Sequence, residues 1–294
     1  MFYLLSLLNG VLITIMIVFN GGLTEVYGIY SATVIIHIAG LTVIAALVLI
    51  RRENPFARIY PWFLYLGGGV GVMTTVFNNL SFGRISVSAI LALSLLGQSV
   101  AGLIVDQYGL LGMTRHPFQR RKLVGLSVVL TGIVFMITQL EVVAVILSFL
   151  AGFCIVAART LTAKLAERTS VRTGTLYNYM IGLSVSLLAL LLLGRGEVVW
   201  SEFAFSPNWY IYLGGVVGVC VVLLSNVTVL RVSAFYLNLL TFVGQIFSGV
   251  LLDAVLSGAF SSRILIGGVL VSIGLCVDLV MDKKRYAPVT VDAE

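Results

Sequence analysis

Apolar residues run along this chain in ten stretches, each continuously hydrophobic over about 20 positions and bounded by short clusters of charge. The stretches cover residues 2–19, 31–50, 62–80, 86–105, 123–139, 143–160, 175–193, 210–229, 234–256 and 264–280. A helix of that length crosses a bilayer, because it rises about 1.5 Å per residue through a hydrocarbon core about 30 Å thick. Lipid offers no partner to a free N–H or C=O, so a spanning segment must bond its own backbone. The alternation of polar and apolar positions that marks a barrel strand is absent. The predicted fold class is an all-α integral membrane protein with ten transmembrane helices.

Composition agrees. Of the 294 residues, 60% are hydrophobic and 10% charged, and the mean hydropathy is +1.10, beyond what a soluble domain carries. The first stretch has neither the basic lead nor the small-residue cleavage pattern of a secretory signal, so it is read as a membrane helix. Net charge is +6, and its placement decides its meaning. Fifteen Lys and Arg residues fall on one side of the predicted membrane, among them Arg51, Arg120, Lys122, Arg159, Lys164 and Lys283, whereas Arg84, Arg195 and Arg263 fall on the other. The positive-inside rule puts the richer side, with both termini, in the cytoplasm. The expected location is a bacterial cytoplasmic (inner) membrane, and no nucleic-acid partner is expected. The basic segment 115–122 sets orientation or also touches anionic headgroups. Cys154, Cys220 and Cys276 lie inside predicted spans at spacings of no metal or disulfide framework, and are expected to be packing residues.

The chain also repeats itself. Residues 65–106 align without a gap on residues 212–253, an offset of 147, with identities at Tyr65 and Tyr212, Gly68 and Gly215, Asn79 and Asn226, Gln98 and Gln245, and Asp106 and Asp253. Five spans per copy is an odd number, so the second copy enters the membrane from the opposite side. The expected organisation is a first five-helix repeat over 1–140 and a second, inverted repeat over 141–294. Inverted repeats are a recurring device of secondary transporters, because two near-equal halves can exchange roles about a central site.

Residues 67–106, with "GGGVGV" and "NNLSFGRISVSAILALSLLGQSVAGLIVD", resemble the signature region of the YdcZ-like family of the drug/metabolite transporter (DMT) superfamily. The second copy, from "GGVVGV" to "GQIFSGVLLD", carries the same resemblance. The resemblance implies a fused pair of five-helix units, with the first four helices of each half around a central cavity and the fifth more peripheral. It also implies a transport function without naming a solute. Small multidrug exporters of the superfamily use a glutamate embedded in the first helix. None of the 12 acids here lies in the middle of a predicted span, which argues against lipophilic-cation/proton antiport of that kind.

The spans offer amides and hydroxyls instead. Asn238, Thr241, Gln245 and Ser248 recur at steps of three, four and three on one face of the ninth helix, and Ser94 and Gln98 repeat a shorter version in the fourth. Gln98 and Gln245 are repeat mates near mid-span. They line a cavity for a neutral polar or zwitterionic solute, or they bond neighbouring helices. Asn9, with Thr14, in the first helix and Asn178 in the seventh are further candidate binding residues. His37 is the sole histidine in a span, a proton relay or a neutral packing group. Its near counterpart is the cluster Tyr177, Asn178 and Tyr179. Gly67, Gly71, Gly214 and Gly218 are read as close helix contacts. Inversion would place Arg84 beside Asp253 at one mouth and Arg231 beside Asp106 at the other. These are candidate gating pairs, or simple interface anchors.

The leading reading is a secondary active transporter of a small polar metabolite working by alternating access. The rivals are a lipid-headgroup or lipid-linked flippase, and a receptor or assembly subunit without flux. Partners are then a small solute and the bilayer, in a monomer or homodimer. No HExxH pair, nucleotide loop or serine-histidine partnership is evident, so neither an enzyme nor a cofactor or metal is expected.

Overall fold

The computed structural model describes residues 2–56, 60–110, 122–136, 141–195, 197, 204–229, 234–257 and 262–283. Ten α-helices stand among them: α1 Phe2–Tyr27, α2 Ile29–Ile50, α3 Leu66–Ser81, α4 Val87–Tyr108, α5 Lys122–Met136, α6 Val142–Arg168, α7 Val171–Leu193, α8 Gly214–Val229, α9 Ala234–Ser257 and α10 Ser262–Lys283. Short 3-10 turns, Trp62–Tyr65 and Trp209–Leu213, lead into α3 and α8 at equivalent places in the two halves. Helices α1, α2, α4, α6 and α7, and α8 with its leading turn, are each long and apolar enough to span a bilayer.

Two helices run further than their hydrophobicity predicts. α1 continues past residue 19 to Tyr27, and α6 past residue 160 to Arg168. Asn20, Gly21 and Gly22 look like a break in the sequence, yet they are helical packing positions: Gly21 faces the ring of Phe82, and Asn20 lies against Gly214. The chain turns at Gly28, whose φ of 84° is a left-handed conformation that favours glycine.

The two halves grip each other through glycines. Gly68 of α3 rests on the α7 backbone at Asn178 and Gly182, and Gly215 of α8 rests on α2 at Ile36 and Gly40. Gly97 of α4 meets α6 at Phe149 and Gly152, while Gly244 of α9 meets α1 at Leu7 and Gly10. Gly132 of α5 meets α10 at Gly267, and Gly274 of α10 meets α5 at Gly125. Every one of these contacts joins helices of different halves, and every one has its mirror in the other half. Without side chains at these points the backbones approach closely, which supplies the dispersion contact that holds helices together in lipid.

These pairs also define the repeat register. Gly10 and Gly152, Gly40 and Gly182, and Gly132 and Gly274 differ by 142, whereas Gly68 and Gly215, and Gly97 and Gly244, differ by 147. With 147 against 142, the α7–α8 connection is five residues longer than α2–α3, and the α4–α5 connection five longer than α9–α10.

α1 packs on α8 and α9, α6 on α3 and α4, and α2 on α7, with α5 and α10 paired at one side. The largest core cluster, including Ile90, Leu93, Ile133, Met136, Phe242, Ile246 and Val271, lies where α4, α5, α9 and α10 converge. Outward-facing Leu49, Ile50, Val134, Leu191, Leu192, Leu251 and Val255 are exposed, a surface that suits lipid. Cys220 and Cys276 are exposed as well, so they are not the packing residues expected, and Cys154 is only half-buried.

Candidate functional site: a polar cavity between the halves

A cavity of about 200 Å³ lies between the halves and is walled by α1, α2, α3, α4, α6, α7, α8 and α9. Among the described residues, none from α5 or α10 lines it. Its wall includes Gln98 and Ser94 of α4, Gln245 of α9, His37 of α2 and Asn178 of α7, so five predicted binding residues share one space. Ser94 donates to the Ser148 carbonyl at 3.0 Å, tying α4 to α6. Asn178 accepts from Thr162 at 3.1 Å, which leaves the amide nitrogen as a donor. Asn226 also lines the cavity, and its amide nitrogen donates to Thr175 at 3.3 Å.

The remaining predicted residues sit elsewhere. Asn9 is buried behind the wall and donates at 2.9 Å to Ser225, which does line the cavity. Thr241 lies at the α1–α9 contact, where its carbonyl abuts Gly10. Ser248 donates to Thr14 at 2.9 Å, and Thr14 in turn donates to the Gln245 carbonyl at 3.2 Å, so this stretch of the α9 face joins helices. The side chain of Asn238 lies outside the described residues. At the end of α3, Asn78 reaches the cavity.

His37 and Tyr179 are repeat mates by the 142 offset, and each ring covers the other helix's glycine: His37 lies over Gly182, and Tyr179 over Gly40. Their ring centroids are 5.8 Å apart. His37 Nδ1 is 2.7 Å from the Thr33 carbonyl oxygen. A carbonyl only accepts, so Nδ1 carries hydrogen, and in the neutral ring Nε2 is left as an acceptor.

Two sequence readings change at this wall. Gly71 was expected to be a helix contact like Gly67, but a Cβ there would meet nothing within 4 Å and it opens on the cavity. Its mate Gly218 lines the cavity too, beside the Tyr179 hydroxyl. Arg159, counted among the loop cations, is part of the cavity wall. The reason is the extra length of α6: Arg159 lies nine residues, about 14 Å of helix, before Arg168. Its signal in the sequence was the apolar and small residues Leu161, Thr162, Leu165 and Ala166 at helical spacing, which the structure buries as the helix runs beyond residue 160.

Away from the cavity wall, acidic side chains meet helix N-termini of the opposite half. Glu197, between α7 and α8, accepts from the Tyr30 and Ser31 backbone N–H groups at 3.0 and 2.7 Å at the start of α2. Glu53, between α2 and α3, accepts from Ser170 at 2.6 Å and Thr173 at 3.2 Å at the start of α7, and forms an ion pair with Arg172. Burial pushes the Glu53 carboxyl up, but these hydrogen bonds and the Arg172 charge outweigh it and hold it below the ordinary carboxylate value. Asp253 of α9 accepts from the Val87 and Ser88 N–H groups at 2.8 and 2.9 Å at the start of α4. The positive end of the helix dipole makes each of these a favourable seat for a carboxylate, and for Glu197 and Asp253 free backbone N–H groups donate as well. The structure thus brings Asp253 to the helix that Arg84 precedes, while Arg84 is exposed and has no ion pair among the described residues. Arg231 and the side chain of Asp106 lie outside the described residues.

A ten-helix membrane fold of two inverted repeats, closed on a cavity to which both contribute, defines a transport protein of the DMT type. The chain belongs to the DMT_YdcZ family, described as "Putative inner membrane exporter, YdcZ", which it matches over residues 1–135 and again over 143–277. It is therefore a fused pair of that family's repeat. One solved crystal structure of a protein superposes with a TM-score of 0.63 over 96% of this chain and 98% of its own, at 16% identity, a likeness of fold alone. No curated protein matches the chain.

Proposed function

We propose that this protein is a secondary active transporter that carries a small polar metabolite across the inner membrane by alternating access. The observation that carries this reading is the mirrored packing of the halves around one cavity lined by His37, Gln98, Asn178 and Gln245. Two arrangements of near-equal energy, each open to one side, follow naturally when each contact has a counterpart in the other half. The absence of a nucleotide loop from the sequence makes an ion gradient the energy source.

The carboxylates at helix N-termini are the latches of this cycle. Glu197 on α2 holds the mouth near the α1–α2 turn, and Glu53 on α7 holds the opposite mouth. Asp253 on α4 adds to the first. Both termini lie in the cytoplasm, so the Glu53 latch faces inward.

The test is a single-cysteine reporter at Thr75 on the cavity wall, in a full-length protein whose three native cysteines are replaced by serine. In oriented proteoliposomes a membrane-impermeant thiol reagent is expected to react from either face, in proportions that change with an imposed proton or sodium gradient. Reaction from one face only, under every gradient, would rule out alternating access.

A further inference from the structure

We infer that the central cavity is an anion site, with Arg159 as the residue that binds the carboxylate group of a small organic acid. This deepens the transport reading and rests on it. Arg159 lies on the cavity wall, which α3, α7 and α8 also form, and Gly71 leaves open space in the same cavity. Among the described residues, no Asp or Glu lines the cavity. Among the described residues Arg159 has no ion pair and no side-chain hydrogen bond, whereas Arg172 of α7 is paired with Glu53.

A guanidinium stays protonated under all ordinary conditions. Held among helices within a membrane, its charge needs a partner, and charged groups at such depth mark substrate pathways. Among the described residues the protein supplies none, and the partner is the solute. The flat fork of Arg159 matches a carboxylate with two parallel N–H···O bonds. The surrounding groups fit the rest of a small acid: the Asn178 amide nitrogen is a donor left over from its bond with Thr162, and Asn226 keeps an oxygen acceptor after donating to Thr175. α1, the mate of α6, has no Lys or Arg from end to end, so the cavity is charged on one side only. A solute anchored through one terminal anionic group suits that asymmetry better than a symmetric dianion.

The experiment compares each carboxylate with its uncharged amide, using benzoate and benzamide, lactate and lactamide, and propionate and propionamide. Thermal unfolding of the purified full-length protein in detergent is measured with each compound, for wild type, Arg159→Lys and Arg159→Gln. At least one carboxylate is expected to stabilise wild type while its amide does not. Arg159→Gln should weaken that carboxylate by about 10- to 100-fold, as loss of a charge-assisted hydrogen bond does, with Arg159→Lys in between. Intact size-exclusion profiles and unchanged unfolding without ligand show that the variants are folded. If Arg159→Gln fails to fold, Arg159→Lys carries the comparison. Equal shifts from acid and amide, an undiminished carboxylate shift in the folded variants, or no shift from any carboxylate overturns the assignment. Stabilisation by phosphatidylglycerol micelles alone also overturns it, in favour of a lipid phosphate. Flux in proteoliposomes separates this inference from the one beneath it. Transport of a neutral solute that Arg159→Gln leaves intact removes the anion site and keeps the transporter. Carboxylate binding without flux does the reverse.

Discussion

Single glycines in this protein do opposite things, and a methyl group tells them apart. A Cβ on Gly68 would collide with the α7 backbone, whereas one on Gly71, three residues on, would point into open cavity. Gly68→Val should therefore lower the thermal unfolding midpoint in detergent, at a cost of about 1–3 kcal/mol for overpacking, while Gly71→Ala leaves it unchanged. Equal midpoints for the two variants would remove the distinction. Both glycines belong to the same "GGGVGV" run, and nothing in its spacing separates contact from cavity. Arg159 was hidden for a related reason, since charge normally ends a hydrophobic span and here the helix passes through it. Glu53 offers a titration at the same scale. Its folded carboxyl sits below the ordinary 4.5, so its bonds stabilise the fold above that value and are lost as pH falls through the depressed one. Lowering the pH from about 6 to about 3 should cost wild type more thermal stability than it costs Glu53→Gln, read as the difference in midpoint at each pH.

Helices carry the mechanics, and their ends are where the halves hold each other. The sequence suggests latches made of opposite charges, because Arg84, Asp106, Arg231 and Asp253 recur at matched places. Among the described contacts, the partner of a carboxylate at a mouth is mostly the backbone of another helix, which leaves no signature in side-chain identity. Glu197 on Tyr30 and Ser31 is the plainest case, and its mate in position is Glu53. If each holds one mouth shut, weakening them must have opposite effects. In the Thr75 cysteine reporter, Glu197→Gln is expected to raise labelling from the α1–α2 turn side by several-fold and lower it from the other, and Glu53→Gln to do the converse. Parallel changes in both variants would mean that these bonds only stabilise the fold. The helices themselves were legible to within a few residues at most ends. The exceptions, α1 and α6, are repeat mates, and both continue through polar or small residues that the partner half buries.

At the level of the whole molecule the two repeats are separate in sequence and inseparable in space. Ungapped alignment finds only residues 65–106 on 212–253, because a five-residue difference in connection length shifts the register on either side of α3 and α4. The glycine contacts restore the remaining register, pairing α1 with α6, α2 with α7 and α5 with α10. Those contacts predict that neither half stands alone. α1 finds its main neighbours in α8 and α9, α6 finds its own in α3 and α4, and α5 packs chiefly on α10. A lone first repeat would expose Gly10, Gly68 and Gly97 to lipid and leave Asn9, Ser94 and His37 without the helices that bury them. Polar groups facing hydrocarbon cost more than the same groups facing a partner helix, so an isolated half would be driven to pair with anything complementary. Residues 1–140 and 141–294, expressed as separate chains, should each accumulate poorly, and together they should copurify at equal stoichiometry and regain the ligand-dependent unfolding of the fused protein. A first half that purifies alone as a stable monomer with native-like unfolding would show that each repeat is its own folding unit. The cavity would then be a docking surface between two finished domains, and the fusion would serve only to hold them at high effective concentration.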